Sequence, residues 1–339
     1  MNGTRLERLN SRRIDPLVSG AKLLNEIQYK LSQTESVKYA LGCMQPIDPV
    51  YTANTISEGE RVKSQLQKSL SESCEYGYQG SVTNDTHIKA GSDIDLLTLI
   101  EKFYTLESPQ KPISPYIGDP VQDLVDLRNA SERILKQAFP EVKVDCSGSK
   151  SISLSGGSLK RKVDVVASNW FNSNNYANSS LKIDRGVQIL DKDKKQRVLN
   201  YPFLHNHRIE MKDREVGGTL RKAIRLMKSL KYDSEAVNVS SYDICGIAYN
   251  IPTERLHIAR QYDLSIVAIC HGYCLELVNN ELLRNSLDVP NKTRKVFGVA
   301  GASVADLQQL TKQLEILSTD ILNENKRSFV KLAEARIEY

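Results

Sequence analysis

Apolar residues recur at helical spacing in several parts of the chain, with strand-like runs between them. Leu17, Leu24, Ile27 and Leu31 mark a helix from Pro16 to about Leu41, after a polar, basic start. Val62, Leu66 and Leu70, four residues apart, predict a stronger helix over Ser57–Cys74, and the prolines at 46 and 49 make Cys43–Thr55 a connector. Leu124, Leu127, Ile134 and Leu135 predict a helix over Pro120–Phe139. A proline-rich irregular loop, Ser108–Pro120, precedes it. Short β-prone runs fall at Asp93–Ile100, Val142–Cys146, Ile152–Leu154 and Arg161–Ala167, and a hairpin is expected over Gly186–Tyr201. Tyr201–Glu215 reads as a loop, with His205 and His207 in it. Beyond Gly217 the pattern is helical: Leu220, Ala223, Ile224, Met227 and Leu230 share one face. Helices are expected over Ile244–Asn250, Leu264–Leu277 and Ser303–Glu338, with Asp288–Gly301 as a loop.

The candidate chemistry lies where the polar pattern breaks the apolar one. Gly80-Ser81 opens a polar loop, Val82–Ser92, which runs into Asp93-Ile94-Asp95 and an apolar strand. Side chains alternate along a strand, so Asp93 and Asp95 share a side, roughly 7 Å apart. Two neighbouring carboxylates call for a cation, and Mg²⁺ takes oxygen ligands of this kind while sharing them with substrate phosphates. Gly80 permits close backbone approach to a phosphate, and Ser81 offers a hydroxyl and an N–H. In Arg161-Lys162-Val163-Asp164-Val165-Val166 an acid interrupts an apolar run. A buried mid-strand Asp needs a partner. If this strand lies beside Asp93–Ile100, Asp164 joins the other two; a sheet-edge Asp facing water is the alternative. The loop Val82–Ser92 links the phosphate-gripping serine to the carboxylates and is a candidate switch.

Charge adds a second region. The chain of 339 residues carries a net +5, but Lys150–Lys231 holds 18 Lys/Arg against 7 Asp/Glu. A basic middle suits a polyanionic ligand such as nucleoside triphosphates or nucleic acid. Arg221, Arg225 and Lys228 fall at i, i+4 and i+7 on one helical stripe with Lys222 beside them, and no acid within that helix offsets them. The stripe is either a solvated face or a face turned to phosphates. Ser240-Ser241-Tyr242 follows, pairing hydroxyls with an aromatic that could stack on a base. The six cysteines are scattered, and Cys270-His271-x-x-Cys274 lacks a second pair at zinc spacing, so buried thiols are expected. A charged start and no long apolar run predict a cytoplasmic protein without a signal peptide or membrane span.

Gly80-Ser81, Asp93-x-Asp95 and Asp164 in a Val-Asp-Val strand resemble the pattern of the polymerase-β-like nucleotidyltransferases. The helix before Gly80, the Lys228 helix and the Ser240-Ser241-Tyr242 turn resemble the CD-NTases, bacterial relatives of animal cyclic GMP-AMP synthase that make signals in antiphage defence (CBASS). The resemblance covers about residues 55–300; the zinc insertion of the animal enzyme is absent. It implies a two-lobed α+β fold: a mixed sheet, a helical second lobe and a long spine helix, with the site in the cleft between lobes. The catalytic core lobe would be residues 1–200, with N-terminal helices 1–75, and the helical lobe 201–339.

The resemblance further implies that Asp93, Asp95 and Asp164 hold two Mg²⁺ ions, with Mn²⁺ a substitute, and that Asp164 helps accept the hydroxyl proton. Ser81, beside Gly80, would contact the donor's terminal phosphates. Lys228 and Ser241 would contact phosphates, with Arg225 on the same stripe, and Tyr242 would stack on a base. The implied substrates are NTPs, ATP among them, and the implied product is a cyclic di- or trinucleotide second messenger. A downstream effector would bind the product, and a regulatory protein could govern the enzyme. Transfer to an RNA 3′ end or a protein, synthesis of linear oligonucleotides, and non-catalytic nucleotide binding are the competing readings.

Overall fold

The structure is a computed structural model that describes residues 3–13 and 34–337, with side chains to residue 324. The helix expected from Pro16 lies outside the described residues as far as residue 33. Helices α1 (Arg5–Arg13), α2 (Glu35–Met44) and α3 (Pro49–Ser69) come first. The strands are β1 (Cys74–Gln79), β2 (Ile94–Leu106), β3 (Lys143–Asp145), β4 (Ile152–Gly156), β5 (Leu159–Asn172), β6 (Arg185–Asp191) and β7 (Gln196–Asn200). Helix α4 (Pro120–Ala138) precedes β3, and α5 (Asn174–Ser179) follows β5. The remaining helices are α6 (Pro202–Glu215), α7 (Thr219–Asp233), α8 (Ser241–Tyr249), α9 (Thr253–Leu256), α10 (Ser265–Asn279), α11 (Glu281–Ser286) and α12 (Val304–Ile337). Among the described residues no helix is long and apolar enough to cross a membrane.

The chain divides into two compact units, Asp48–Arg208 and Met1–Ile47 together with Ile209–Tyr339. Helices α1 and α2, expected with the catalytic lobe, group with the C-terminal helices. The reason is a buried ion pair: Arg12 of α1 donates to Asp233 at 2.6 Å, and Tyr39 of α2 donates to the same carboxylate at 2.7 Å. Around them α7 buries Leu220, Ala223, Ile224, Met227 and Leu230. Leu307, Leu310, Leu314 and Leu317 of α12 enter the same core, as do Cys270 and Cys274 of α10, which are buried thiols.

The sheet unit is a seven-stranded mixed sheet. β2 and β5 run parallel at its centre, and every other pairing is antiparallel. β5 pairs β4 along its first half and β6 along its second. One face of β2 and β5 (Ile94, Leu96, Val163, Val165) packs on Val62 and Leu66 of α3 and Leu135 of α4. The other face carries Leu97, Leu99 and Val166 against Trp170, with Phe203 packed over them. Both faces are covered, which explains the nearly continuous apolar run of β2.

Three expected loops are partly or wholly helical. Cys43–Thr55 is the end of α2, a short link and the start of α3. Asp48 accepts from Val50 N at 2.9 Å, and Pro49 fits the first turn, where no N–H is needed. Tyr201–Glu215 contains α6, whose buried positions are Pro202, His205, Ile209 and Asp213. That stripe is helical in spacing, but two of its members are polar, so apolar periodicity misses it. The Ser240-Ser241-Tyr242 turn is the start of α8. Ser240 Oγ accepts from Asp243 N at 3.0 Å and donates to the Asp243 carboxylate at 2.6 Å, which caps the helix.

Candidate nucleotidyl-transfer site

β1 delivers the Gly-Ser pair to the acidic strand. Its last residue, Gln79, stands opposite Asp95, and Gly80 follows at φ +96°. A Cβ at Gly80 would lie 2.9 Å from Asp95 Oδ2. Backbone angle and close approach both require glycine here. Thr86 N donates to the Ser81 carbonyl at 2.9 Å and folds the chain back at once. Thr83 Oγ1 donates to the Gly80 carbonyl at 2.8 Å and accepts from Asn206 Nδ2 at 2.9 Å. His87 Nε2 and Thr52 Oγ1 of α3 are 3.0 Å apart. Val82, Asn84, Thr86, His87, Ile88 and Ala90 are buried. The loop is thus tied back at its start and packed into its unit, with Ser81 at its first turn.

The parallel register places Asp95 directly beside Asp164. The two lie on the same face, and Asp93 precedes β2 by one residue. Asp93 is half exposed, while only 13 % of the Asp164 side chain is exposed. The Lys162 ammonium donates to Asp164 Oδ2 at 2.8 Å and to Asp93 Oδ2 at 3.2 Å. Burial, then the neighbouring Asp164 and Asp93 charges, push the Asp95 carboxyl up to about 6, with Lys162 opposing. Asp164 Oδ1 is buried without a hydrogen-bond partner. A buried carboxylate oxygen left bare is costly.

Divalent cations fit this set. The donors are all carboxylate oxygens, the choice of hard ions; Asp164 Oδ1 has no hydrogen-bond partner, and Asp95 is crowded by the Asp164 and Asp93 charges. The side chains are not gathered around one point: among the described residues no three His, Cys, Asp or Glu stand in ready ligating arrangement. Asp93 and Asp164 are turned to Lys162 instead. Lys162 is the residue that motif reading passes over. Its signal was present: it lies two residues before Asp164 in a strand, hence on the same face.

The other expected nucleotide contacts belong to the helical unit. Arg221 pairs with Asp213 at 2.9 Å and Lys222 with Asp263 at 2.7 Å, so acids from other elements offset two cations that seemed unopposed. Arg225 is buried and its Nε donates to the Met44 carbonyl at 2.8 Å. Lys228 is 7 % exposed, and burial lowers its pKa, with Lys231 and Arg225 adding to the effect. Ser241 is exposed at the first turn of α8. The half-buried Tyr242 donates to Asn291 Oδ1 at 2.9 Å, and the Arg294 guanidinium lies 5.2 Å from its ring centre. Gly80, Ser81, Asp93, Asp95 and Asp164 thus all lie in the sheet unit, while Arg225, Lys228, Ser241 and Tyr242 sit on α7 and α8.

Known proteins resemble this chain in sequence and in fold. Residues 207–318 match the model of the cGAS/DncV-like nucleotidyltransferase C-terminal helical domain. The chain is 36% identical over 294 residues to the cyclic dinucleotide synthase CdnE of Yersinia aleksiciae, covering 85% of this chain and 77% of that protein. It is 33% identical over 311 residues to a c-di-GMP synthase of Capnocytophaga granulosa, covering 84% and 87% of the two chains. The solved structure of a STING-associated CdnE c-di-GMP synthase from Capnocytophaga granulosa superposes with a TM-score of 0.79 at 29% identity, over 94% of this chain and 98% of that one. The chain therefore belongs to the CD-NTases, the cGAS/DncV-like nucleotidyltransferases.

Proposed function

We propose that this protein joins two nucleoside triphosphates into a cyclic dinucleotide in a divalent-metal-dependent reaction, with GTP a substrate and the product a signal read by a separate receptor in antiphage defence. The observation that carries this reading is the Asp95–Asp164 register pair, with its bare buried Asp164 Oδ1, lying beside Gly80-Ser81. The choice of GTP rests on the relatives named c-di-GMP synthases, and the receptor on the relative titled STING-associated.

Ser81 and the backbone freed by Gly80 bind the donor's terminal phosphates. Asp93, Asp95 and Asp164 would hold the divalent ions, which would supply positive charge to the attacking oxygen and the leaving pyrophosphate. Asp164 takes the proton of the attacking ribose hydroxyl. The new bond joins that oxygen to the α-phosphorus, and the bond to pyrophosphate breaks. A second transfer, with the roles of the two nucleotides exchanged, closes the ring. Ser241 at the start of α8, with Lys228, supplies phosphate contacts, and Tyr242 a stacking face. Most of the catalysis is positioning and charge stabilisation.

The test is incubation of the purified protein with radiolabelled NTPs and Mg²⁺, then phosphatase. A small phosphatase-resistant product that takes up label from GTP is expected. Label found only on added RNA or protein would replace this reading by transfer to a macromolecule. Products fully degraded by phosphatase would mean linear oligonucleotides.

A further inference from the structure

Three carboxylates share one end of the β2–β5 pair, and the cation that meets them belongs to the chain itself. Lys162 Nζ bridges Asp164 at 2.8 Å and Asp93 at 3.2 Å. It lies one pleat before Asp164 on the same strand, so its stem starts on the face where the carboxylates gather. The lysine side chain is 38% exposed. A four-carbon stem with one end in water can swing out without disturbing β5. Its ammonium engages Asp93 and Asp164, two of the three residues assigned above as metal ligands, and it does so through Oδ2 of each. Asp164 Oδ1 stays bare. One monovalent charge therefore leaves the cluster partly compensated, and a divalent ion that takes the same oxygens meets a like charge.

We propose that Lys162 is a tethered counter-ion, which pairs with Asp93 and Asp164 in the metal-free enzyme and leaves the cluster when divalent ions bind. Lys162 thus acts through the aspartates as a positioning residue. It keeps the carboxylates tolerable to the fold without metal, and it raises the ion concentration needed to load the site. The inference rests on the metal-binding reading of the three aspartates.

The experiment measures Mn²⁺ binding to nucleotide-free enzyme by the loss of the free-ion electron paramagnetic resonance signal. It compares the full chain with Lys162→Met, Lys162→Gln, Lys162→Arg and the double variant Asp93→Asn plus Asp95→Asn. Removing a unit like charge a few ångströms from the ion should tighten Mn²⁺ binding roughly tenfold in the two neutral variants. Lys162→Arg should stay within about twofold of the parent, since the charge is kept. The rise in melting temperature on adding Mg²⁺ should be larger in the neutral variants than in the parent, because the bare cluster costs them stability until metal arrives. Should either neutral variant be poorly folded, the other carries the test. Unchanged or weaker Mn²⁺ binding in a folded neutral variant, with binding lost in the aspartate variant, overturns the counter-ion role and leaves the metal site standing. Weaker nucleotide binding without tighter Mn²⁺ binding also overturns it, and makes Lys162 a substrate contact. Full Mn²⁺ binding in the aspartate variant overturns the metal site and the counter-ion together.

Discussion

The aspartates of the sheet unit and the cations of α7 look alike as sequence features, each a dense row of one sign. They differ in how the fold answers them. Around the aspartates, Lys162 bridges two of three carboxylates, Asp164 Oδ1 remains bare, and Asp95 is pushed up to about 6 by burial and by its neighbours. Along α7 the row is largely absorbed: Arg221 has Asp213, Lys222 has Asp263, and Arg225 has the Met44 carbonyl. Matched charge holds a fold together; charge left under-compensated at an accessible place awaits a ligand. The aspartate cluster is the less compensated of the two regions, and on α7 burial lowers the pKa of Lys228.

The largest expected effect is loss of the ligand set. Asp93→Asn with Asp95→Asn should lower turnover by at least about 10³-fold, because the charge stabilisation of the transition state depends on it. Melting temperature should hold or rise, since like charges are removed. Full activity in this variant would dissolve the contrast between the two regions.

A second measure of burial against charge lies in α6. Burial pushes the His205 imidazole down to about 4. The unfolded chain, with a pKa near 6.5, takes up a proton that the folded ring refuses. The stabilising contribution is therefore complete above about pH 6.5 and declines as pH falls towards 4, by about 3 kcal/mol in all. Urea midpoints of wild type and His205→Gln between pH 7.5 and 4.5 check this. The variant should lose less stability over that interval; parallel curves would mean that the ring is not held neutral.

Gly80→Ala should come next. Its methyl meets Asp95 Oδ2, and the left-handed backbone at φ +96° disfavours a side chain. Roughly tenfold to hundredfold loss in kcat/KM is expected from the displaced carboxylate, with about 1–2 kcal/mol lost in stability. The smallest effects separate two cations of one helix. Lys228→Met should raise the KM for NTP about tenfold, the worth of one charge-assisted phosphate contact. Arg221→Met should leave KM unchanged and cost about 1–2 kcal/mol of stability, because Asp213 loses its ion-pair partner and keeps only the backbone N–H of residue 221. If the two variants exchanged these outcomes, the assignment along α7 would be reversed.

Much of this was legible before any coordinates. The strand after Asp93 declared itself through its apolar run, and Asp164 through an acid set between valines. Their pairing was a conditional inference, because parallel register is made by a long crossover that local pattern does not encode. Helix α6 was hidden because its buried stripe uses His205 and Asp213 in place of apolar residues. Helix α1 was hidden because Arg12 is buried against Asp233, from a helix more than two hundred residues away in the chain. Lys162 was hidden by the habit of reading acids for metals and lysines for phosphates, although strand alternation already placed it beside Asp164.

The central claim is that the Gly80-Ser81 and aspartate platform is a metal–triphosphate site. Anomalous diffraction from crystals grown with Mn²⁺ and a non-hydrolysable GTP analogue tests it most directly. The account predicts Mn²⁺ peaks within about 2.3 Å of oxygens of Asp93, Asp95 and Asp164, with the triphosphate reaching Ser81 and Lys162 turned away. Bound nucleotide with Mn²⁺ peaks elsewhere, and Lys162 still on Asp93 and Asp164, would contradict it.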